Sequence, residues 1–366
     1  MRTRILSILI CMAYSQLYGQ LDNTVFENRT QVAAQDSNRL YLGLNVLGFG
    51  KNNEYSETTI DGYTLFGYQV NPFLSYQLGP KLRLDAGVYA QKDFGNNDYT
   101  DVLPTFSLKY QAGNFALIFG TLEGSLNHRL IEPLYNFEFV LNRRIENGVQ
   151  TLWMKDDVFL DVWVDWQKMI YQEDPNQEEF VGGLSFSKRV EFGGLDLSFP
   201  VQATVYHRGG QIDVNPDPVL TLLNGAIGVD LESGSGFVWG IKSYYVFHST
   251  SSNELPFNSG NGIFLNPYFK TRFGLTLMGS WWTSHQYLTY LGDARYPSIS
   301  PIAPVEFDED RSWIMVRALY DIRLTDGVTL TLRAQPFFDT FSDKLQYSYG
   351  FYINLNKRFF LLHANR

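Results

Sequence analysis

The sequence is poor in thiols, in long apolar runs and in clustered basic residues. Its 366 residues include one cysteine, Cys11, so the rest of the chain has no disulfide framework and no cysteine-based metal site. Beyond the first 20 residues, no apolar run approaches the roughly 18 residues that a membrane-spanning helix needs. The net charge is −9, and an acidic chain without basic runs argues against binding to nucleic acid.

Histidine is also scarce, which limits the catalytic chemistry that the chain can be expected to perform. The five histidines are His128, His207, His248, His285 and His363. Two of them have a serine as sequence neighbour, Ser249 and Ser284. Neighbours in a strand point to opposite faces, so this adjacency does not create a nucleophile and base within hydrogen-bond reach. We therefore predict that the protein is not an enzyme, and the sequence implies no cofactor and no metal.

The first residues have the pattern of a secretory signal peptide. An apolar stretch from Ile5 to Met12 follows two arginines and is too short to span a bilayer as a helix. Cleavage before Gln20 is favoured over cleavage before Gln16, which gives a signal peptide over residues 1–19. Residues 20–38 are then expected to form a polar periplasmic lead-in.

Aromatic residues are abundant, at 16% of the chain, and many segments alternate strictly between apolar and polar positions. From Leu82 to Gln91 every second residue is apolar, and the stretch from Val328 to Gln335 repeats the pattern. This period indicates β-strands with two different faces. We count about sixteen strands, with a range of about 14 to 18 because boundaries are the weakest part of such a prediction.

Short and long connections between these strands take turns along the chain. The short ones carry turn residues, as in Gly79-Pro80 and Thr325-Asp326-Gly327, whereas the long ones are polar, as from Lys51 to Asp61 and from Gln286 to Asp310. Short turns on one rim and long loops on the other are typical of bacterial outer-membrane barrels. The predicted fold is an all-β, transmembrane, antiparallel up-and-down barrel over residues 39–366, with short periplasmic turns and long extracellular loops.

The connection over residues 123–147, after the fifth strand, stands apart because it is long and rich in both charges. At this point the chain resembles the general porins of Gram-negative outer membranes, in which sixteen strands form the barrel and the loop after the fifth folds inward. The resemblance rests on strand count and loop rhythm. It implies a pore constriction made by Glu123, Arg129, Glu132, Glu138, Arg143, Arg144 and Glu146. The alternative is an external loop with ordinary surface ion pairs.

Charged residues on the polar faces of the strands are expected to line a wet lumen. They are Arg83, Asp85, Lys109, Asp161, Asp165, Arg317, Asp321, Arg323 and Arg333. Opposed charges in a narrow wet passage orient polar solutes and filter ions. The aromatic residues Tyr89, Trp163, Tyr206 and Tyr244 are also expected to face this lumen, either as a sugar track or as packing for loops.

These features predict an outer-membrane, porin-like channel for passive diffusion of small hydrophilic solutes or ions. A channel selective for one solute class, such as oligosaccharides or anions, and a non-conducting barrel scaffold or secretion component remain alternatives. The expected partners are outer-membrane lipids, small hydrophilic solutes and the barrel assembly machinery. The porin resemblance also allows a homo-trimer, and the amino terminus is expected in the periplasm.

Overall fold

The alternating segments pair edge to edge into one closed sheet. The computed structural model describes residues 23–56, 60–210, 212–299, 308–340 and 343–363. Sixteen strands each pair antiparallel with the next in sequence, and the first also pairs with the last, so the sheet has no free edge. The predicted antiparallel barrel of about sixteen strands is confirmed. The predicted signal peptide over residues 1–19 lies outside the described residues.

All strands except the fifth, which has seven residues, have nine or more, and about 9–11 tilted residues span the hydrocarbon core of a bilayer. In order they are β1 Arg39–Ser56, β2 Asp61–Leu78, β3 Leu82–Asp93, β4 Asp101–Ala112, β5 Phe115–Thr121, β6 Asn147–Lys155, β7 Val158–Lys168, β8 Glu179–Phe192, β9 Leu195–Arg208, β10 Leu220–Ser233, β11 Phe237–Thr250, β12 Ser259–Thr271, β13 Leu275–His285, β14 Asp310–Thr325, β15 Val328–Asp339 and β16 Lys344–His363.

Helical structure is confined to short pieces. One α-helix, α1, spans Phe139–Asn142, and single 3₁₀ turns span Thr24–Phe26, Ala34–Asp36 and Ser125–His128. None of the helices among the described residues is long and apolar enough to cross a membrane.

Each strand presents one face to the lumen and one to the outside. In β13, Met278 and Trp282 point into the barrel and are buried, whereas Leu277 and Trp281 point outward and are 46% and 41% exposed. Large apolar side chains exposed in this pattern cover most of the outer wall, which is the arrangement that contact with lipid requires.

The two rims differ, as the sequence predicts. Tight turns close one rim, which we call the short-turn rim; the β8–β9 turn uses Gly193 and Gly194, with φ of 59° and 82°. Left-handed backbone angles of this kind favour glycine. The opposite end, the long-loop rim, carries the connection from β5 to β6 and the connection from β13 to β14.

Two predicted segment assignments need correction. Lys51 lies within β1 and its buried side chain points into the lumen, so residues 51–56 of the expected long loop from Lys51 to Asp61 belong to the barrel wall. Residues 20–38 are expected to form a polar periplasmic lead-in, but those described, 23–38, fold into the short-turn half of the lumen, where Asn23 and Phe26 are 2% exposed. Both segments carry polar residues whose partners lie inside the barrel, which the sequence alone does not display.

Candidate functional site

The connection between β5 and β6 folds into the lumen, as the porin resemblance implies. Its residues from Leu122 to Tyr135 are all buried. The apolar members Leu130, Ile131 and Leu134 pack against wall residues such as Ile118 and Trp163. Burial of this apolar surface is what holds the loop inside, because leaving it in water would cost free energy roughly in proportion to its area. We refer to residues 122–146 as the lumen loop.

The charged residues of the lumen loop meet opposite charges instead of facing open water. The Glu123 carboxylate accepts a hydrogen bond from Lys109 at 2.7 Å, Glu132 pairs with Arg317, and Glu138 pairs with Lys51. Each of these pairs is buried. Paired charges stabilise the loop, but they leave little net field for sorting ions.

His128 is the most enclosed ionisable group of the lumen loop. Its Nδ1 lies 3.0 Å from the Asp161 carboxylate and its Nε2 lies 2.7 Å from the Glu146 carboxylate. The ring stacks on Trp163 with centroids 3.6 Å apart, and no part of the side chain is exposed. Burial alone would lower the pKa of His128, but Glu146 and Asp161 outweigh it and raise the pKa to about 9.

His128 is therefore an imidazolium with both ring nitrogens occupied at neutral pH. A general base needs a free nitrogen lone pair within reach of the proton that it removes. His128 lacks one in this arrangement. Its position instead ties the lumen loop to β7, through Asp161, and to the loop's own end, through Glu146.

Most of the other predicted residues also lie inside the barrel. Four of them make polar contacts: Arg83 pairs with Asp85 at 2.8 Å, Asp165 accepts a hydrogen bond from the Asn147 amide at 2.9 Å, Arg144 donates one to Gln69 at 3.3 Å, and Asp321 accepts one from Thr331 at 2.6 Å. Two others lie over aromatic rings, Arg143 over Phe139 and Arg333 over Phe26 and Phe137. They form several separate contacts and are not gathered into one open constriction.

Arg323 is misplaced in the sequence prediction. Its side chain is 73% exposed and bonds to Asp326 on the β14–β15 turn. It therefore belongs to the short-turn rim and does not line the lumen. Arg323 lies two residues before the end of β14 at Thr325. Its side chain is therefore at the level of the rim, beyond the packed interior.

The aromatic residues expected in the lumen are buried there and packed against loops. Trp163 stacks on His128, and Tyr206 stacks on Tyr290 of the β13–β14 connection with centroids 3.4 Å apart. This packing occupies their ring faces, so these two rings do not form an open track on which sugars can stack.

A charged cavity lies in the short-turn half of the barrel. Its volume is about 780 Å³, and its wall includes turn residues Asn114 and Asp156 at the rim. Deeper in, it ends at Glu123 and Arg129 of the lumen loop. The cavity is large enough for a small molecule, but the lumen loop separates it from the long-loop rim.

A different constellation lies on the outer wall near the long-loop rim. The strand pairing places Trp166, Phe180, His207 and Thr221 side by side across β7 to β10. The His207 Nδ1 lies 2.8 Å from the Thr221 hydroxyl oxygen, and the Phe180 ring packs 5.0 Å from the His207 ring. His207 shares the outward parity of Phe199 and Val201, which are 43% and 41% exposed. We call these four residues the outer-wall row.

The outer-wall row contains a hydroxyl and a base within hydrogen-bond distance. A hydroxyl becomes nucleophilic when a neighbouring imidazole can take its proton. Thr221 donates to Nδ1 when the ring carries its own proton on Nε2, and no hydrogen bond joins Nε2 to another of the described residues. With His207 as base, the Thr221 hydroxyl can therefore attack an electrophilic carbon that approaches along the lipid-facing wall.

Two other histidines compare poorly with His207 for this chemistry. His285 bonds to Asp310 at 2.8 Å, but both side chains are more than half exposed and lie beside Glu309 in polar surroundings. His248 is buried, accepts from the Leu288 amide at 3.2 Å and contacts the Phe257 carbonyl at 3.3 Å. Neither imidazole is hydrogen-bonded to a hydroxyl among the described residues.

Sequence reasoning missed the His207–Thr221 pair, although the sequence holds a signal for it. The last residue pair of β9 and β10 before their connection is Arg208 with Leu220. His207 and Thr221 each lie one residue further into their strand. In an antiparallel pair such positions lie directly opposite each other. Testing only sequence neighbours of each histidine could not find a partner 14 positions away.

Comparison with known proteins identifies a family along nearly the whole chain. The model of the family described as lipid A 3'-O-deacylase-type matches residues 32–364. No curated protein sequence matches the chain. The family is an enzyme family, so the sequence-based prediction that the protein is not an enzyme is wrong. That prediction weighed only serines adjacent to histidines and did not consider pairs formed across strands.

Solved structures show the same fold at low sequence identity. OprD from Pseudomonas aeruginosa aligns with a TM-score of 0.51 and 10% identity, covering 92% of this chain and 100% of that chain. OccAB4 from Acinetobacter baumannii gives 0.52 and 9%, covering 88% and 99%. A loop-deletion mutant of OmpT from Vibrio cholerae gives 0.51 and 13%, covering 87% and 99%. These likenesses show that the chain shares the closed β-barrel fold of these outer-membrane proteins.

Proposed function

Because the chain belongs to the lipid A 3'-O-deacylase-type family, we propose that it is an outer-membrane hydrolase that removes an ester-linked acyl chain from a lipid A-like substrate. The observation that carries this proposal is the His207–Thr221 contact of 2.8 Å on the outward face of the barrel. We place the long-loop rim at the extracellular side, where such a lipid forms the outer leaflet.

The height of the outer-wall row fits an ester of a membrane lipid. Thr221 is the second residue of β10 and His207 is the last but one of β9, each strand having 14 residues. The hydrocarbon core needs only about 9–11 of these, so the terminal residues lie at the level of the headgroups and ester bonds. Trp166 and Phe180 beside them match the aromatic residues that mark this interface.

The pair can hydrolyse an ester in two steps. Thr221 Oγ1 attacks the carbonyl carbon while His207 Nδ1 takes the hydroxyl proton and passes it to the departing sugar oxygen, which leaves as an alcohol. The acyl group is then esterified to Thr221. A water molecule attacks this ester, His207 takes its proton, and the fatty acid leaves as Thr221 Oγ1 is reprotonated.

The test is to incubate the purified full-length protein with vesicles that contain lipid A and to follow the lipid mass. The wild-type protein is expected to remove an acyl chain. Thr221→Val keeps the shape but removes the nucleophile, and His207→Asn removes the base, so each should slow release by about 10²-fold to 10⁴-fold. His285→Asn is the matched control and should act as wild type.

Two results would contradict the assignment. Undiminished release by Thr221→Val would exclude this hydroxyl as the nucleophile. Loss of release in His285→Asn, with His207→Asn active, would move the base to the His285–Asp310 pair.

Solute passage is a second candidate function, favoured by the charged cavity of about 780 Å³ that opens at the short-turn rim. In this proposal the short-turn rim faces the periplasm, and small hydrophilic solutes or ions enter the cavity there. Passage to the other side requires movement of the groups that close it. Single-channel conductance of the refolded protein in a planar bilayer is the test: discrete current steps are expected, and a folded barrel that never conducts would exclude this function.

A further inference from the structure

We propose that residues 23–33 form a releasable gate that closes the lumen from the short-turn side. This inference rests on the solute-passage candidate and is independent of ester hydrolysis. We call these residues the gate segment. It lies below the lumen loop, so that the two together fill the passage from opposite ends.

The gate segment is joined to the lumen loop by polar contacts. The Arg129 guanidinium donates to both oxygens of Glu27, at 2.8 and 2.9 Å. The Thr30 amide and hydroxyl donate to Glu123 at 2.8 and 2.9 Å. The Asn28 amide donates to the Asn127 side chain at 2.9 Å. Release of the gate segment would therefore expose the inner surface of the lumen loop and widen the charged cavity.

The gate segment also has an aromatic anchor, which contacts both the lumen loop and the barrel wall. Phe26 packs edge-on against Phe137 at 5.4 Å and Tyr352 at 5.3 Å. The Arg333 guanidinium covers the Phe26 ring at 4.8 Å and donates to Asn23 at 2.7 Å. Val25 packs against the same cluster but is only partly buried. Hydrogen bonds and a small apolar surface therefore hold the gate segment in place.

The gate segment and the lumen loop differ in how firmly the barrel holds them. The lumen loop is continuous with β5 at one end and β6 at the other, and it buries several large apolar residues in the main interior cluster. Among the described residues, the gate segment is continuous with a strand only at its carboxyl end, where β1 begins at Arg39. It can swing out without unpairing the barrel sheet, whereas the lumen loop cannot leave without losing its core.

Charge reversal at Glu27 is the sharpest way to release the gate segment. Glu27 pairs with Arg129 at 2.8 Å and with Arg29 at 3.4 Å, so Glu27→Arg places a third guanidinium beside these two. The swapped double variant Glu27→Arg/Arg129→Glu restores an opposite pair between positions 27 and 129. Asp326→Arg is the matched control, because it makes the same change in charge at the short-turn rim on a side chain that is 80% exposed and bonds only to Arg323 and Lys357 there. The heat-modifiable gel shift of each full-length variant reports whether the barrel is folded.

Two readouts separate movement of the gate segment from passage of solute. A Val25→Cys substitution in each background measures, with a membrane-impermeant thiol reagent, whether the gate segment has left the lumen. Conductance in a planar bilayer measures passage. We expect Glu27→Arg to raise thiol reactivity and open probability by roughly tenfold or more, because a buried ion pair becomes a repulsive one. The swapped variant and Asp326→Arg should match the parent protein.

Equal thiol reactivity in the parent and in folded Glu27→Arg would overturn the gate. So would a swapped variant that stays as reactive as Glu27→Arg, since the charge pair would then not hold the segment. Raised reactivity without any conductance would confirm the moving gate segment and exclude solute passage as the protein's function. Unfolding of Glu27→Arg alone, with a folded swapped variant of parental reactivity, would confirm that this pair fixes the segment.

Discussion

Two histidines of this barrel, one in the lumen and one on the outer wall, show how surroundings decide what a side chain can do. His128 is sealed, with carboxylates on both ring nitrogens and an indole on its face. His207 faces lipid, with one nitrogen at a hydroxyl. The first is held as a cation between two carboxylates, and the second has a hydroxyl within hydrogen-bond distance of its Nδ1. The number of hydrogen-bond partners and the exposure of the ring, more than residue type, distinguish the histidine that stabilises the fold from the one for which we propose a catalytic role.

The largest expected difference between the two sites is in stability. His128→Ala leaves Glu146 and Asp161 buried without their cation and should destabilise the folded barrel by about 3–5 kcal/mol. His207→Ala removes a partly exposed ring and should cost no more than about 0.5 kcal/mol. Urea titrations followed by the heat-modifiable gel shift measure both. Equal losses would mean that the two sites do not differ in structural role.

The barrel wall was predictable from the sequence, and its contents were only partly so. Alternation in Leu82 to Gln91 and turn residues such as Gly193 determine strand and hairpin locally, so neighbouring positions suffice. The inward course of the lumen loop was predicted through the porin resemblance. The sequence did not predict which charges pair with those of the loop, because partners such as Glu132 and Arg317 are 185 positions apart. Similarly, nothing local marks residues 23–38 as lumen filling.

A second interior pair extends the same contrast to arginine. Arg317 is 1% exposed and pairs with Glu132, whereas Arg323 is 73% exposed. Arg317→Met should destabilise the barrel by about 2 kcal/mol, because it leaves a buried carboxylate with fewer donors. Arg323→Met should change stability by less than about 0.5 kcal/mol. The same urea titration measures both changes in stability. A larger loss of stability for Arg323→Met than for Arg317→Met would contradict the buried position of Arg317 and the exposed position of Arg323.

A smaller effect is expected where Phe180 supports the outer-wall row. The Phe180 ring packs 5.0 Å from His207 and 5.4 Å from Trp166. Phe180→Ala removes aromatic contacts that contribute about 0.5–1.5 kcal/mol, so we expect KM for vesicle-borne lipid to rise about twofold to tenfold with little change in kcat. Phe192→Ala, an exposed ring at the opposite end of β8, is the control. A loss confined to kcat would instead place Phe180 at the reacting atoms.

The smallest effect is the response of the lumen loop to acid. Burial would raise the pKa of Glu123, but Lys109 and Arg29 outweigh it and hold the pKa below the ordinary value of 4.5. The stabilisation that this carboxylate provides is therefore complete above about pH 4.5 and is lost as the pH falls through the lowered pKa. The thiolate is the reacting form of cysteine, so the reactivity of Val25→Cys is divided at each pH by that of the same variant unfolded in urea. This ratio should stay constant from pH 7 to pH 5 and rise only in stronger acid. Glu123→Gln should remove that acid response, and an unchanged response would assign it to other groups.

The central claim is that chemistry takes place on the outer wall, and covalent trapping tests it most directly. The full-length protein in lipid vesicles is treated with a phosphonate ester that carries a long acyl-like chain, and its peptides are analysed by mass spectrometry. The account predicts a label on Thr221 that disappears in His207→Asn. A label on a lumen residue or at the His285–Asp310 pair, or lipid A hydrolysis by a protein that never acquires a label at Thr221, would contradict it.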